Sequence, residues 1–162
     1  MKALVLYYSK TGNTRHMAEV IAAGMGKVAG VEAKACSIED VDEAWALESK
    51  CIILGSPIYC SNVSAAVKTF LDSSFKKYRP AGKLGGAFAT MNYIYGGAEL
   101  GIRLILDHML VFGMLTYSGG GACGMPVIHL GPAALGTKLE ESEPVFALYG
   151  ERMAKKAVEL FA

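Results

Sequence analysis

Ser9-Lys10-Thr11-Gly12-Asn13-Thr14 is a stretch rich in hydroxyls and amides, set between two apolar patterns of different period. Ahead of it, Ala3-Leu4-Val5-Leu6-Tyr7 is a continuous apolar run of the kind that suits a strand buried on both faces. Behind it, over Arg15 to Ala29, Met17, Val20, Ile21 and Met25 recur at helical spacing. A strand therefore becomes a helix within one turn. The first amides of a helix have no intrahelical acceptor, and the macrodipole adds partial positive charge at that end. The hydroxyls of Ser9, Thr11 and Thr14, the Asn13 amide and the adjoining backbone N–H groups can surround a small dianion there. Gly12 lets the backbone approach closely or take a positive φ. The stretch reads as a phosphate cradle, and the same residues also suit an ordinary polar helix cap. No Gly-x-x-x-x-Gly-Lys-Ser/Thr occurs, and Lys10 is not placed as a P-loop lysine, so the ligand would be held by its phosphate and react elsewhere.

Length and composition narrow the setting. A chain of 162 residues fits a single domain, 1–162, with a core that needs no staples. With 52% hydrophobic and 19% charged residues it is a globular sequence, not a disordered one. A net charge of +1 gives no polyelectrolyte signal, so nucleic acid is not an expected partner. No apolar run reaches the roughly 20 residues needed to span a bilayer, so membrane insertion is not expected either. Met1-Lys2-Ala3 leads straight into a strand without a signal-peptide design, and a cytoplasmic location is expected. Cys36, Cys51, Cys60 and Cys123 are too widely spaced for a metal site and are expected as free thiols.

Further along, Val31 to Cys36 reads as a second strand, and Ile38 to Leu47 as a short, partly helical acidic segment. Cys51 to Gly55 is a third, fully apolar strand that ends in the polar loop Ser56-Pro57-Ile58-Tyr59-Cys60-Ser61-Asn62. Ser64 opens a helix, Lys83 to Met91 is a fourth strand, and Asn92 to Gly97 is another loop. Glu99 to Phe112 is the most hydrophobic helix, apolar enough that self-association is expected. Met114 to Tyr117 is a short fifth strand. The Gly- and Pro-rich region 118–143 reads as a long surface loop, and Ser142 as the cap of a last helix from Val145 to Phe161. Within that loop Gly119-Gly120-Gly121-Ala122-Cys123-Gly124 matches Gly-x-Gly-x-x-Gly, yet Pro126 follows where a dinucleotide fingerprint requires a helix. It is expected to be a mobile loop near the ligand. Alternating strands and helices imply right-handed βαβ units and a parallel sheet with both faces covered. Ligands of such sheets lie at the carboxyl ends of strands, where the loops 9–14, 56–62 and 90–97 all fall.

Ser-x-Thr-Gly-Asn-Thr after a first strand resembles the phosphate loop of the flavodoxin superfamily, which binds FMN. Gly55 to Asn62 is similar to the second flavin loop of the flavodoxin-like quinone reductases, the tryptophan-repressor-binding-protein A group. Phe88 to Glu99, with Gly96-Gly97-Ala98-Glu99, is similar to that group's third loop. The resemblance implies a flavodoxin-like three-layer α/β sandwich with a five-stranded parallel sheet of order 2-1-3-4-5, the strand order of flavodoxin itself. It implies FMN held by Ser9, Lys10, Thr11, Gly12, Asn13 and Thr14 at the phosphate. Pro57, Ile58, Tyr59, Cys60 and Asn62, with Thr90, Met91, Asn92, Tyr93, Gly96 and Gly97, would surround the ring and ribityl chain. Tyr59 and Tyr93 or Tyr95 could pack on the ring face. The activity implied is electron or hydride transfer from a donor such as NAD(P)H to a quinone or similar acceptor, with the flavin carrying the chemistry. The alternative is a carrier flavodoxin passing electrons between protein partners. Two departures bear on this choice: Ser61 replaces the second loop's glycine, and Phe112 stands where the quinone reductases place a histidine near the ring. His108, one turn away, is a substitute for that histidine or a plain surface residue.

Overall fold

The computed structural model describes residues 1–162. In chain order the elements are β1 (Lys2–Tyr7), α1 (Asn13–Met25), β2 (Glu32–Ser37), α2 (Glu43–Glu48), β3 (Cys51–Tyr59), β4 (Asn62–Val63) and α3 (Ala65–Ser73). Then come β5 (Leu84–Met91), α4 (Ala98–Val111), β6 (Leu115–Thr116), β7 (Ala133–Leu135) and α5 (Leu139–Phe161). The sheet runs β2-β1-β3-β5-β6, parallel throughout that path. This is the expected order, with β5 as the fourth long strand.

Apolar side chains alternate between the faces of the sheet because successive residues of a strand point to opposite sides. Leu4, Leu6, Ile52 and Leu54 pack with Val67, Phe70, Ile102 and Ile105 from α3 and α4. Ala3, Val5 and Ile53 pack with Met17, Ile21, Phe146, Tyr149 and Met153 from α1 and α5. These are the three layers. The outer face of α4 leaves Leu100, Leu110 and Val111 exposed, the surface on which the expected self-association would rest.

Two regions differ from the sequence reading. The segment 56–62 is not wholly a loop. β3 continues through Tyr59, and Asn62–Val63 turns back to pair Tyr59 with Asn62 and Ile58 with Val63. Cys60 and Ser61 form the two-residue turn with φ of 51° and 59°, left-handed values that side chains other than glycine and asparagine rarely adopt. Pro57 interrupts the apolar pattern and hides this continuation, yet it stays in register opposite Thr90.

The second correction is in 118–143. Ala133–Leu135 is a strand paired with Ala89–Met91 of β5, and α5 begins at Leu139 instead of Val145. Ser142 is not its cap; the Ser142 hydroxyl donates to the Lys138 carbonyl from inside the first turn. The fifth sheet position is thus shared by β6 opposite Leu84–Gly85 and β7 opposite Ala89–Met91. Between them the Ala87 N–H has no strand partner and donates 3.1 Å to the buried Tyr149 hydroxyl.

The excursion 117–132 that separates β6 from β7 is tied down at several points. Ser118 donates to the His129 carbonyl at 2.7 Å, and Gly120 bridges Ile128. The guanidinium of Arg152, itself buried, donates to the carbonyls of Cys123, Gly124, Met125 and Pro126. A buried cation is tolerable there because those carbonyl dipoles replace its hydration. The Gly-rich run is therefore an anchored arm at the sheet edge, not a mobile loop beside the ligand. Arg152→Met is expected to cost about 2–3 kcal/mol, the range for buried hydrogen bonds to a charged group, and to open the arm. Limited proteolysis should then cut first within 119–127; an unchanged digestion pattern would show that Arg152 does not hold it.

Candidate functional site

The site begins where β1 ends. Gly12 has φ +98° and ψ −20°, caps α1 without any side-chain bond, and leaves open space in the direction of a Cβ. Ser9 Oγ accepts the Gly12 N–H at 3.1 Å, which closes the turn. The first intrahelical bond runs from His16 N–H to the Gly12 carbonyl. The N–H groups of Thr11, Asn13, Thr14 and Arg15 therefore find no acceptor in the protein. Converging unpaired amides at the positive end of a helix form an anion site. The ordinary-cap reading fails here, because no side chain fills the cap.

The three loops meet because β1, β3 and β5 are neighbours in the sheet. A crevice of about 70 Å³ is lined by 10 residues: Lys10, Thr11, Asn13 and Thr14 from the first, Pro57, Ile58 and Tyr59 from the second, and Thr90, Met91 and Asn92 from the third. All are residues expected at the cofactor. Lys10 is the one charged group among them, so an anion meets mostly neutral donors. Thr14 is buried, and its hydroxyl lies 2.8 Å from that of Thr90. The pair uses one of its two protons internally and keeps one for a ligand.

Other expected residues shape the walls and do not line the crevice. Ser9 and Gly12 form the turn. Asn62 Oδ1 accepts the Val63 N–H and fixes the hairpin whose tip is Cys60. Gly97, at φ +83°, lies so close to this hairpin that a Cβ would stand 2.9 Å from Ser61 Cβ. At Gly96 a Cβ would meet the Tyr93 carbonyl at 2.7 Å. Gly97 is thus needed to dock the third loop on the second, and Gly96 to let the third loop turn tightly on itself. Tyr93 and Tyr95 are 78% and 96% exposed, and neither lines the crevice. Phe112 is far from the site: it packs edge-on to Phe75 at the other end of α4, with ring centres 5.7 Å apart. His108 also points away, to the Leu104 carbonyl and Asp72. Its reading as a surface residue is the one that holds.

A fourth segment, the turn 136–138 after β7, which the sequence reading left undivided within the long loop 118–143, also reaches the site. Gly136 N–H donates to the Met91 carbonyl at 2.8 Å. A Cβ on Gly136 would lie 2.6 Å from Asn13 Nδ2 and 3.1 Å from Asn92 Oδ1, so this glycine lets the first and third loops touch. The only available signal was a Gly-Thr pair after the three residues of β7, too short a run for periodicity to register.

A flavodoxin domain model matches residues 4–81, and a model for NADPH-dependent FMN reductases matches 43–123. A flavodoxin of Clostridium saccharobutylicum is 39% identical over 161 residues, covering 99% of this chain and 100% of that protein. The chain belongs to the flavodoxin family. Likeness extends to an NAD(P)H dehydrogenase (quinone) of Geotalea daltonii, 29% identical over 75% of this chain and 74% of that one. Among solved structures, a flavodoxin from the domain Archaea superposes with a TM-score of 0.80 at 27% identity, over 98% of this chain and 99% of that chain. As a member of this family the protein binds FMN. The cradle fits that ligand: unpaired amides and a vacant cap suit a terminal phosphate, and the crevice above it is lined by neutral groups. No helix is long and apolar enough to cross a membrane, and the four cysteines are free.

Proposed function

We propose that this protein carries electrons between protein partners, with FMN as the redox group. The phosphate would rest on the amides of Thr11, Asn13, Thr14 and Arg15, beside Lys10 and the Thr14–Thr90 hydroxyl pair. Backbone groups of 57–60 and 90–93 would meet the polar edge of the ring without adding charge. Bound FMN supplies one- and two-electron chemistry that no side chain of the chain can perform.

The observation that supports a carrier is the mouth of the crevice. Tyr59 of the crevice lining is exposed, and so are Tyr93, Ile94 and Tyr95, which directly follow the lining residue Asn92. Such an apolar, aromatic rim at a redox centre is the composition of an interface that a partner protein desolvates. A second observation bears on NAD(P)H. The roomy cleft next to the crevice has Glu99 and Glu141 on its rim and neither lysine nor arginine in its lining. A pyrophosphate would meet repulsion there.

The second reading, NAD(P)H-dependent reduction of a quinone, is favoured by the FMN reductase match and the dehydrogenase relative. Anaerobic titration separates the two. The carrier is expected to reduce in two distinct one-electron stages and to show negligible turnover with NADH or NADPH plus a quinone. Rapid reduction by either nucleotide with sustained quinone turnover would replace the proposal with the second reading.

A further inference from the structure

A cleft of about 710 Å³ lies next to the flavin crevice and shares Met91 alone with it. That volume falls within the range of small-molecule sites. It forms because the fifth sheet position is filled only at its ends. The first turns of α4 and α5, helices of opposite layers, approach each other at the sheet edge, and the returning arm 127–133 closes the back. Ile102, Ile128 and Phe146 make a buried apolar floor, with Val127, Leu130 and Val145 on the sides.

The charged groups of the lining are Glu99 from α4 and Glu141 from α5, and the arm adds His129. Glu99 has no ion-pair partner, and Glu141 pairs with Lys138 at 3.2 Å, both side chains more than half exposed. Carboxylates suit the first turn of any helix. That accounts for each glutamate singly and not for two of them facing one apolar cleft from two helices. The floor disfavours a hydrated inorganic ion, and the rim disfavours an anion.

We infer that this cleft binds an amphipathic organic monocation. Its ammonium head sits between Glu99 and Glu141, and its apolar body lies against Ile102, Val127, Leu130 and Val145. The inference is independent of whether the protein is a carrier or a reductase, because neither donor nor acceptor enters it.

Three probes of one shape and different charge test it on the FMN-loaded full chain: 4-phenylbutylamine, 4-phenylbutan-1-ol and 4-phenylbutyrate. Two partly exposed ion pairs should make the amine bind about tenfold tighter than the alcohol. The butyrate should bind more weakly than the alcohol. Amide shifts in NMR should fall in 99–102, 127–133 and 141–146, and added salt should narrow the amine-to-alcohol ratio. In a Glu99→Gln/Glu141→Gln variant with unchanged flavin absorbance, the amine should fall to the affinity of the alcohol. Equal binding of amine and alcohol to the unmodified protein, shifts located elsewhere, or no binding of any probe would each overturn the inference. So would a ratio that survives the double substitution. None of these results depends on electron transfer, so failure here leaves the carrier proposal standing, and the reverse also holds.

Discussion

Gly12→Asp is expected to yield a folded protein that emerges colourless and takes up FMN about a thousandfold more weakly. Two effects add. Gly12 sits at φ +98°, where an L residue is strained by about 1–2 kcal/mol. Nothing lies within 4 Å of the new Cβ, so that cost is conformational and not steric. The larger effect is electrostatic. The carboxylate enters a turn whose Thr11, Asn13, Thr14 and Arg15 amides lack acceptors, and competes for the donors that a phosphate needs. A unit charge about 5 Å from a phosphate dianion, at an effective dielectric of about 40 for this exposed turn, adds roughly 3 kcal/mol of repulsion in all. Together, about 4–5 kcal/mol is three orders of magnitude in affinity.

Gly12→Asn separates the two effects, since asparagine keeps the shape, tolerates positive φ better and carries no charge. It should weaken FMN by about tenfold or less. Fluorescence quenching of FMN on titration with apoprotein measures both variants. Normal flavin content in Gly12→Asp would remove the cradle from its assigned role. An asparagine variant as weak as the aspartate would show that backbone geometry, not charge, controls the site.

How far this site was legible in the sequence depends on length scale. The turn at 9–14 could be read because a long apolar strand and a periodic helix flank it, and the change of period lies within a few residues. The alternation of apolar runs with amphipathic helices gave a covered parallel sheet, but the order of its long strands came only from the resemblance of the three loops to flavodoxin-like proteins. The hairpin at 59–62 could not be read. Its turn is made by Cys60 and Ser61, neither of which advertises positive φ, and Pro57 disguises the strand that leads into it. β7 was hidden for a different reason: three residues carry no period, and only pairing with Ala89–Met91 makes them a strand. Its loss from the reading also hid Gly136, which completes the site. Phe112 shows a further limit. The resemblance to the quinone reductases suggested proximity to the ring, but α4 starts at the site and runs away from it, so the residue that ends the helix lies at the far end.

Gly24→Val is expected to lower the stability of the apoprotein by about 3–4 kcal/mol, the upper range for a core substitution that forces elements apart. α1 and α5 together cover one face of the sheet, and they meet at backbone distance. A Cβ on Gly24 would lie 2.1 Å from the Ala147 carbonyl oxygen, and one on Gly150 2.2 Å from that of Ile21. The obstacle is main chain in both cases, so no rotamer change relieves it. The helices must separate and loosen Met17, Ile21, Met25, Phe146, Tyr149 and Met153, which fill that layer. For a domain of this size each kcal/mol is roughly 2–4 °C in Tm, giving a fall of roughly 10 °C. The smaller change Gly24→Ala is the sharper test. In an ordinary helix interior alanine gains up to about 1 kcal/mol over glycine. Here the same substitution should destabilise, because the methyl group meets a carbonyl before helix propensity can matter. The measurement belongs on the apoprotein, since bound FMN would raise Tm by mass action and mask part of the loss. A stabilised Gly24→Ala would mean that the two helices have room between them. The position of α1, and with it the unpaired amides at its start, would then be set by the sheet alone.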